Sequence, residues 1–213
     1  MPEEQKTRKG CFVWGCITMI ALALMLSGVV GLFLLKARRL RDQLTATEPQ
    51  SVPIAQTPAP KARQLAREYN HIKNAIENGR PTTLRLTAEE LNQMIATVPH
   101  LKDFKGRAHF SIEDDQIKAV ASIPLDQLPG FQGRYLNGNF DLAVRCQNGV
   151  LEVYATNVTV KGNPIPTRIM NKLRNQNLAQ KLYEDPKTVE KLKNIESVNV
   201  ENGSLTIVTR GAP

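Results

Sequence analysis

"LAVRCQNGVLEVYA", Leu142 to Ala155, decides how most of the chain is read. Asn148-Gly149 at its centre suits a two-residue type I′ turn, because both central positions of that turn take positive φ. With these two residues as the turn, Cys146 faces Leu151, Val144 faces Val153 and Leu142 faces Ala155. All six are apolar and share one face of the ladder. Arg145 then faces Glu152 on the other face, a favourable cross-strand pair. A slip of one residue would destroy both agreements, so the register is strongly specified. Val158 and Val160 fall out of phase with the apolar face, which predicts a bulge near Asn157 or a change in which face is buried.

Two further hairpins follow by the same procedure. Asp114-Asp115 as a turn pairs Ile112 with Ile117, Phe110 with Ala119 and Ala108 with Ala121. Asn202-Gly203 pairs Val200 with Leu205 and Val198 with Ile207. "TLRL", starting at Thr83, supplies one more short strand.

Helical periodicity surrounds these strands. Leu65, Tyr69, Ile72 and Ile76 form one stripe, which Gly79 and Pro81 end. Thr87 and Glu90 have capping-box spacing ahead of the stripe Leu91, Met94, Ile95 and Val98. Ile165, Ile169 and Leu173 form a third stripe, continued by Leu178 and Leu182 beyond the polar break "NQN". Asp185-Pro186 reads as a cap and a first-turn proline for a short helix through Asn194. The expected class is therefore α+β: a curved antiparallel sheet built from hairpins, with helices covering one face.

The N-terminal part is different in kind. Cys11 to Leu35 carries no charged residue, while both flanks are basic. As a helix this run spans roughly 37 Å, enough to cross about 30 Å of hydrocarbon with some tilt. A cleavable signal has a core of only about 7–15 apolar residues. Ala21-Leu22-Ala23 has the shape of a cleavage site, yet the apolar run continues well past it. The expected organisation is a short basic tail (1–10), a single transmembrane anchor (11–35), a juxtamembrane basic and proline-rich linker (36–60) and an α+β domain (61–213). Flank charge leaves the orientation open: Lys6, Arg8 and Lys9 precede the run, and Lys36, Arg38, Arg39 and Arg41 follow it. A short basic tail before a first apolar helix favours an N-terminus inside and a domain outside the cytoplasm. Gly15, Ala23, Ser27 and Gly31 lie near one stripe of the anchor, a small-residue spacing that suits a homodimer face.

The reactive inventory is thin. His71, His100 and His109 are far apart and lack metal-ligand spacing, so neither a metal nor another cofactor is expected. Asp114 and Asp115 are better read as turn residues than as paired acid and base. Cys146 sits on the apolar strand face, where thiols are usually inert. It is the domain's lone cysteine, so no internal disulfide can form there. No G-x-S-x-G, P-loop or dinucleotide fingerprint occurs. The formal net charge is +8, with basic residues concentrated on the helices. Solvated helix faces explain this blandly; attraction to anionic lipid explains it more sharply. Few aromatics accompany the basic residues, which disfavours nucleic acid.

One pattern points to a ligand. Ala108, Ala119, Ala121 and Ala155 are small where Phe110, Leu142 and Val153, on the same face, are large. Small residues here either leave an apolar groove for an acyl chain or let a helix pack closely.

The anchor, the linker, "TLRLTAEELNQMIA", "VTVKGNPIPTRIMNKL" and "VNVENGSLTIV" resemble the YpmS-like bacterial proteins. The resemblance implies a single-anchor envelope protein whose α+β domain lies outside the cytoplasm and has no assigned activity. It brings no catalytic residues. The reading is a membrane-tethered binding or scaffolding module, for lipid or an anionic envelope component. The alternatives are an envelope enzyme and a cytoplasmic-facing basic domain that binds anionic lipid or nucleic acid. Reporter fusions at the C-terminus test the topology. A reporter active only outside the cytoplasm should give signal, and one active only inside should be silent; the reverse would invert the orientation.

Overall fold

The computed structural model describes residues 38–147 and 149–211. The apolar run 11–35, its stripe Gly15, Ala23, Ser27 and Gly31, and the turn residue Asn148 lie outside the described residues. Among the described residues no helix is long and apolar enough to cross a membrane. The chain divides into two compact units, Met1–Gln43 and Leu44–Pro213. In the first, residues 38–43 are helical.

The second unit is α+β. Its elements run α1 (Ala59–Asn78), β1 (Thr82–Thr87), α2 (Ala88–Thr97), β2 (Ala108–Glu113), β3 (Gln116–Pro124), β4 (Tyr135–Gln147), β5 (Val150–Val160), β6 (Asn163–Pro164), α3 (Thr167–Asn175), α4 (Pro186–Leu192), β7 (Ile195–Glu201) and β8 (Ser204–Thr209). Single 3₁₀ turns occur at Pro99–Leu101 and Gln180–Tyr183. This unit begins earlier than the expected boundary at 61. The proline-rich stretch is extended, yet it lies on the sheet: Thr45 and Val52 are buried, and Ala46 pairs with Tyr135.

Each hairpin has the register its apolar pattern demands. Cys146 faces Leu151, Val144 faces Val153, and Leu142 faces Ala155. Ile112 faces Ile117, and Ala108 faces Ala121. Val200 faces Leu205, and Val198 faces Ile207. Asp114, Asp115 and Asn202 take positive φ, as type I′ turns require of their central residues. Gly149 is needed for space as well as for its positive φ, since a Cβ there would run into the backbone of Lys193. The phase break falls at a bulge between Asp141 and Leu142 on β4, opposite Thr156. One extra residue on β5 returns Val158 and Val160 to the face of Ala155, and all three are buried in one cluster.

β4 is the trunk of an eight-stranded antiparallel sheet. One of its edges pairs with β5. The other is divided: Tyr135 to Leu142 pair with β3, while Cys146 and Gln147 pair with β7. Two arms therefore leave the trunk, β3–β2 and β7–β8–β1. Their hairpin tips are joined, because the Asn202 amide donates to the Asp115 carboxylate at 2.9 Å. The fork divides the buried residues into separate clusters. Leu65, Ile72, Leu84, Leu86, Met94 and Val98 make one. Cys146, Leu192, Ile195 and Val198 make another, around the trunk.

α2 touches the outermost strand of both arms, β1 and β2. Thr87 and Glu90 form the expected capping box, and Glu90 also accepts from Lys61 Nζ at 2.6 Å, tying α1 to α2. Toward β2, Asn92 takes the place of a further strand. Its Oδ1 accepts from the Phe110 amide at 2.8 Å, and its Nδ2 donates to the Phe110 carbonyl at 2.6 Å.

The third helical stripe ends sooner and begins later than its pattern predicts. Ile165 precedes Pro166, which disfavours helical backbone at that residue, so α3 starts at Thr167. Helix also stops at Asn175, because Asn177 is engaged elsewhere. Its Oδ1 accepts from the Val153 amide, and its Nδ2 donates to the Leu151 carbonyl, each at 3.0 Å. Leu178 and Leu182 are consequently exposed and do not extend the buried stripe.

Asn92→Ala should strip two partners from a part-buried backbone. The expected cost is about 1–3 kcal/mol, read as a lower midpoint in urea unfolding. A change within about 0.5 kcal/mol, as at a bare surface site, would deny Asn92 this role.

Candidate ligand cavity

Pairing alone places small side chains in a block. Ala108 sits opposite Ala121, and Ala119 lies between Phe110 and Phe140 on the neighbouring strands. Leu142 pairs with both Ile117 and Ala155. Helix coverage does not reach the whole of this block. α3 packs on β5 through Ile169, Met170 and Leu173, while α2 reaches β2 along its outer side.

The result is a cavity of about 630 Å³. Its floor holds Ala108, Phe110, Ala119, Ala121, Leu142 and Ala155, six of the seven residues singled out from the sequence. The seventh, Val153, falls outside it, one step along β5, where its backbone is bonded to Asn177 and Leu178. Val158, Ile165, Ile169 and Leu173 complete the wall on the helix side. Polar groups are few: Thr45, Asp103, Arg107 and Ser122. Ser122 is already engaged, donating to Asn137 Oδ1 at 2.8 Å.

Two loops make the rim. One, residues 99–107, is a run of tight turns closed by amide bonds from Phe104 to Leu101 and from Arg107 to Phe104. The other, residues 125–134, is closed by bonds from Leu125 to Arg134 and from Phe131 to Leu128, and by the Gly133 amide on Asp126. These bonds hold large apolar side chains outward: Phe104 is 53 % exposed and Leu128 50 %. Ile123 and Leu178 add to the same rim. Half of the large apolar residues most exposed among those described thus gather at one opening. Scattered single exposures are ordinary; a contiguous group beside a cavity is not.

None of this rim was read from the sequence. "LKDFKGR" and "LDQLPGFQGR" show turn chemistry, and nothing in their periodicity says which way Phe104 and Leu128 point.

The other singled-out residues are not brought together. His71 Nε2 lies 3.0 Å from Thr82 Oγ1 at the surface. His100 stacks on Tyr69 with ring centroids 6.2 Å apart. His109 is on β2 opposite Val120, on the alternate phase to Ala108 and Phe110. Among the described residues no three His, Cys, Asp or Glu converge. Asp114 and Asp115 form the β2–β3 turn. Cys146 is fully buried, and loss of solvent pushes its thiol pKa up, with partial relief from the Gly149 amide.

No family model, curated protein or solved structure matches the chain.

Proposed function

We propose that the protein is a single-pass membrane protein, anchored by residues 11–35, whose α+β domain binds the acyl part of a lipid outside the cytoplasm. The observation that carries this reading is the apolar cavity of about 630 Å³ with its apolar rim. Its size falls within the range of about 300–1,000 Å³ usual for small-molecule sites. Such sites normally add a few placed polar groups to fix orientation. Here the floor offers almost none, which suits a chain of methylenes better than a polar metabolite. The open fork of the sheet supports the expected curvature around this face.

Magnitudes limit the ligand. About ten buried methylenes contribute roughly 8 kcal/mol gross. Association costs at least about 4 kcal/mol of that. Short acids should therefore fail to bind, while long acyl chains should be held.

Extracytoplasmic placement rests on the short basic tail and on the likeness to the YpmS-like envelope proteins. No nucleic-acid role is proposed.

Native mass spectrometry and solvent extraction of the purified full chain test the reading. Lipid should copurify with the native protein. Ala121→Phe and Ala119→Leu should each lower occupancy severalfold. Because both alanines line the cavity, the larger side chains should cost less than the about 1–3 kcal/mol of overpacking a filled core. A reproducibly empty native protein, or variants that lose stability while keeping lipid, would end the proposal.

A further inference from the structure

The rim has a second property, beyond being apolar. Lys102, Lys105 and Arg107 lie in the same short loop as Phe104, and all three are exposed. None has a side-chain hydrogen bond or ion pair with another described residue. Asp103 is the single acidic residue of that loop. Basic side chains flanking an outward phenylalanine, with Leu128 beside them on the second loop, are the composition of an interfacial membrane contact. Apolar side chains enter the headgroup boundary, and the cations meet anionic lipid.

Chain connectivity points the same way. The folded domain begins at Leu44, and Leu44 and Thr45 themselves line the cavity. Ala46 then pairs with Tyr135, fixing the incoming chain beside the opening.

We infer that the rim formed by residues 99–107 and Leu128 docks on an anionic bilayer, so that the cavity opens onto the membrane and exchanges lipid with it directly. This rests on the acyl-binding reading for its purpose, but its geometry is tested separately.

The test uses the full chain in nanodiscs that contain phosphatidylglycerol with brominated acyl chains. Trp14 is the chain's one tryptophan, so Trp14→Phe gives a dark background. Single tryptophans are then introduced as Phe104→Trp, Leu128→Trp and Val150→Trp. Val150 is the control, since it is 53 % exposed and lies at the β4–β5 turn. Tryptophans at 104 and 128 should be strongly quenched, and the one at 150 should not. Lys102→Ala and Lys105→Ala should each lower the docked population about fivefold, and added salt, or nanodiscs whose brominated lipid is zwitterionic, should lower it further, because all three cations then lose their partner. Equal quenching at 104 and 150, or none at 104, would overturn docking. Lipid occupancy measured on the same samples reports on the acyl-binding reading alone. Quenching with an empty cavity would keep the docking surface and remove its cargo; a filled cavity without quenching would do the reverse.

Discussion

The bulge opposite Thr156 is the constraint on which the rest depends. Without the extra residue, Val158 and Val160 would face away from Ala155, because side chains alternate with a period of two. With it, Leu151, Val153, Ala155, Val158 and Val160 of β5 share one face, and β4 presents Phe140, Leu142, Val144 and Cys146 against it. That shared face lets one long strand serve two arms. Near its start β4 carries β3, with its small residues, and near its end it carries β7. The helices pack on the β7–β8–β1 arm, on the outer strand β2 and on β5. What they leave uncovered is the cavity.

Open sheet edges invite pairing with other chains, and this fold covers them with side chains. Asn92 completes β2 at Phe110, and Asn177 completes β5 at Leu151 and Val153. Tyr183 adds its hydroxyl to Leu151, accepting from the amide at 2.6 Å and donating to the carbonyl at 2.9 Å. A carboxamide has both a donor and an acceptor, so it can satisfy both backbone groups of one residue. The cost is local: helix cannot run through Asn177. Truncation of α3 by Pro166 at one end and Asn177 at the other is what confines its cover to β5. Edge protection and the cavity thus share a cause.

Strand registers were legible in the sequence because period-two patterns and turn pairs are local signals. Asp114-Asp115, Asn148-Gly149 and Asn202-Gly203 each set a register that long-range packing had only to accept. The alanines were legible too, as small residues in phase with large ones. Other features depend on distant partners. Nothing near Asn92 or Asn177 says that its amide will bond a strand, and nothing near Ile165 says that Asn163 and Pro164 will pair with β5 instead of starting a helix. The rim was invisible for a related reason: periodicity reports burial inside regular elements, whereas Phe104 and Leu128 sit in loops whose turns alone decide their direction. The packed linker was missed because prolines correctly signal an extended chain but do not say what it lies against.

Alanine-methyl NMR of the full chain with a spin-labelled long-chain fatty acid tests the central claim most directly. Ala108, Ala119, Ala121 and Ala155 line the cavity, whereas Ala75 belongs to α1, outside it. The four cavity methyls should broaden selectively and saturably, and unlabelled long-chain acid should restore them. Ala75 should stay sharp. Equal broadening of all five, or none at the cavity methyls, would contradict an acyl chain bound on this face.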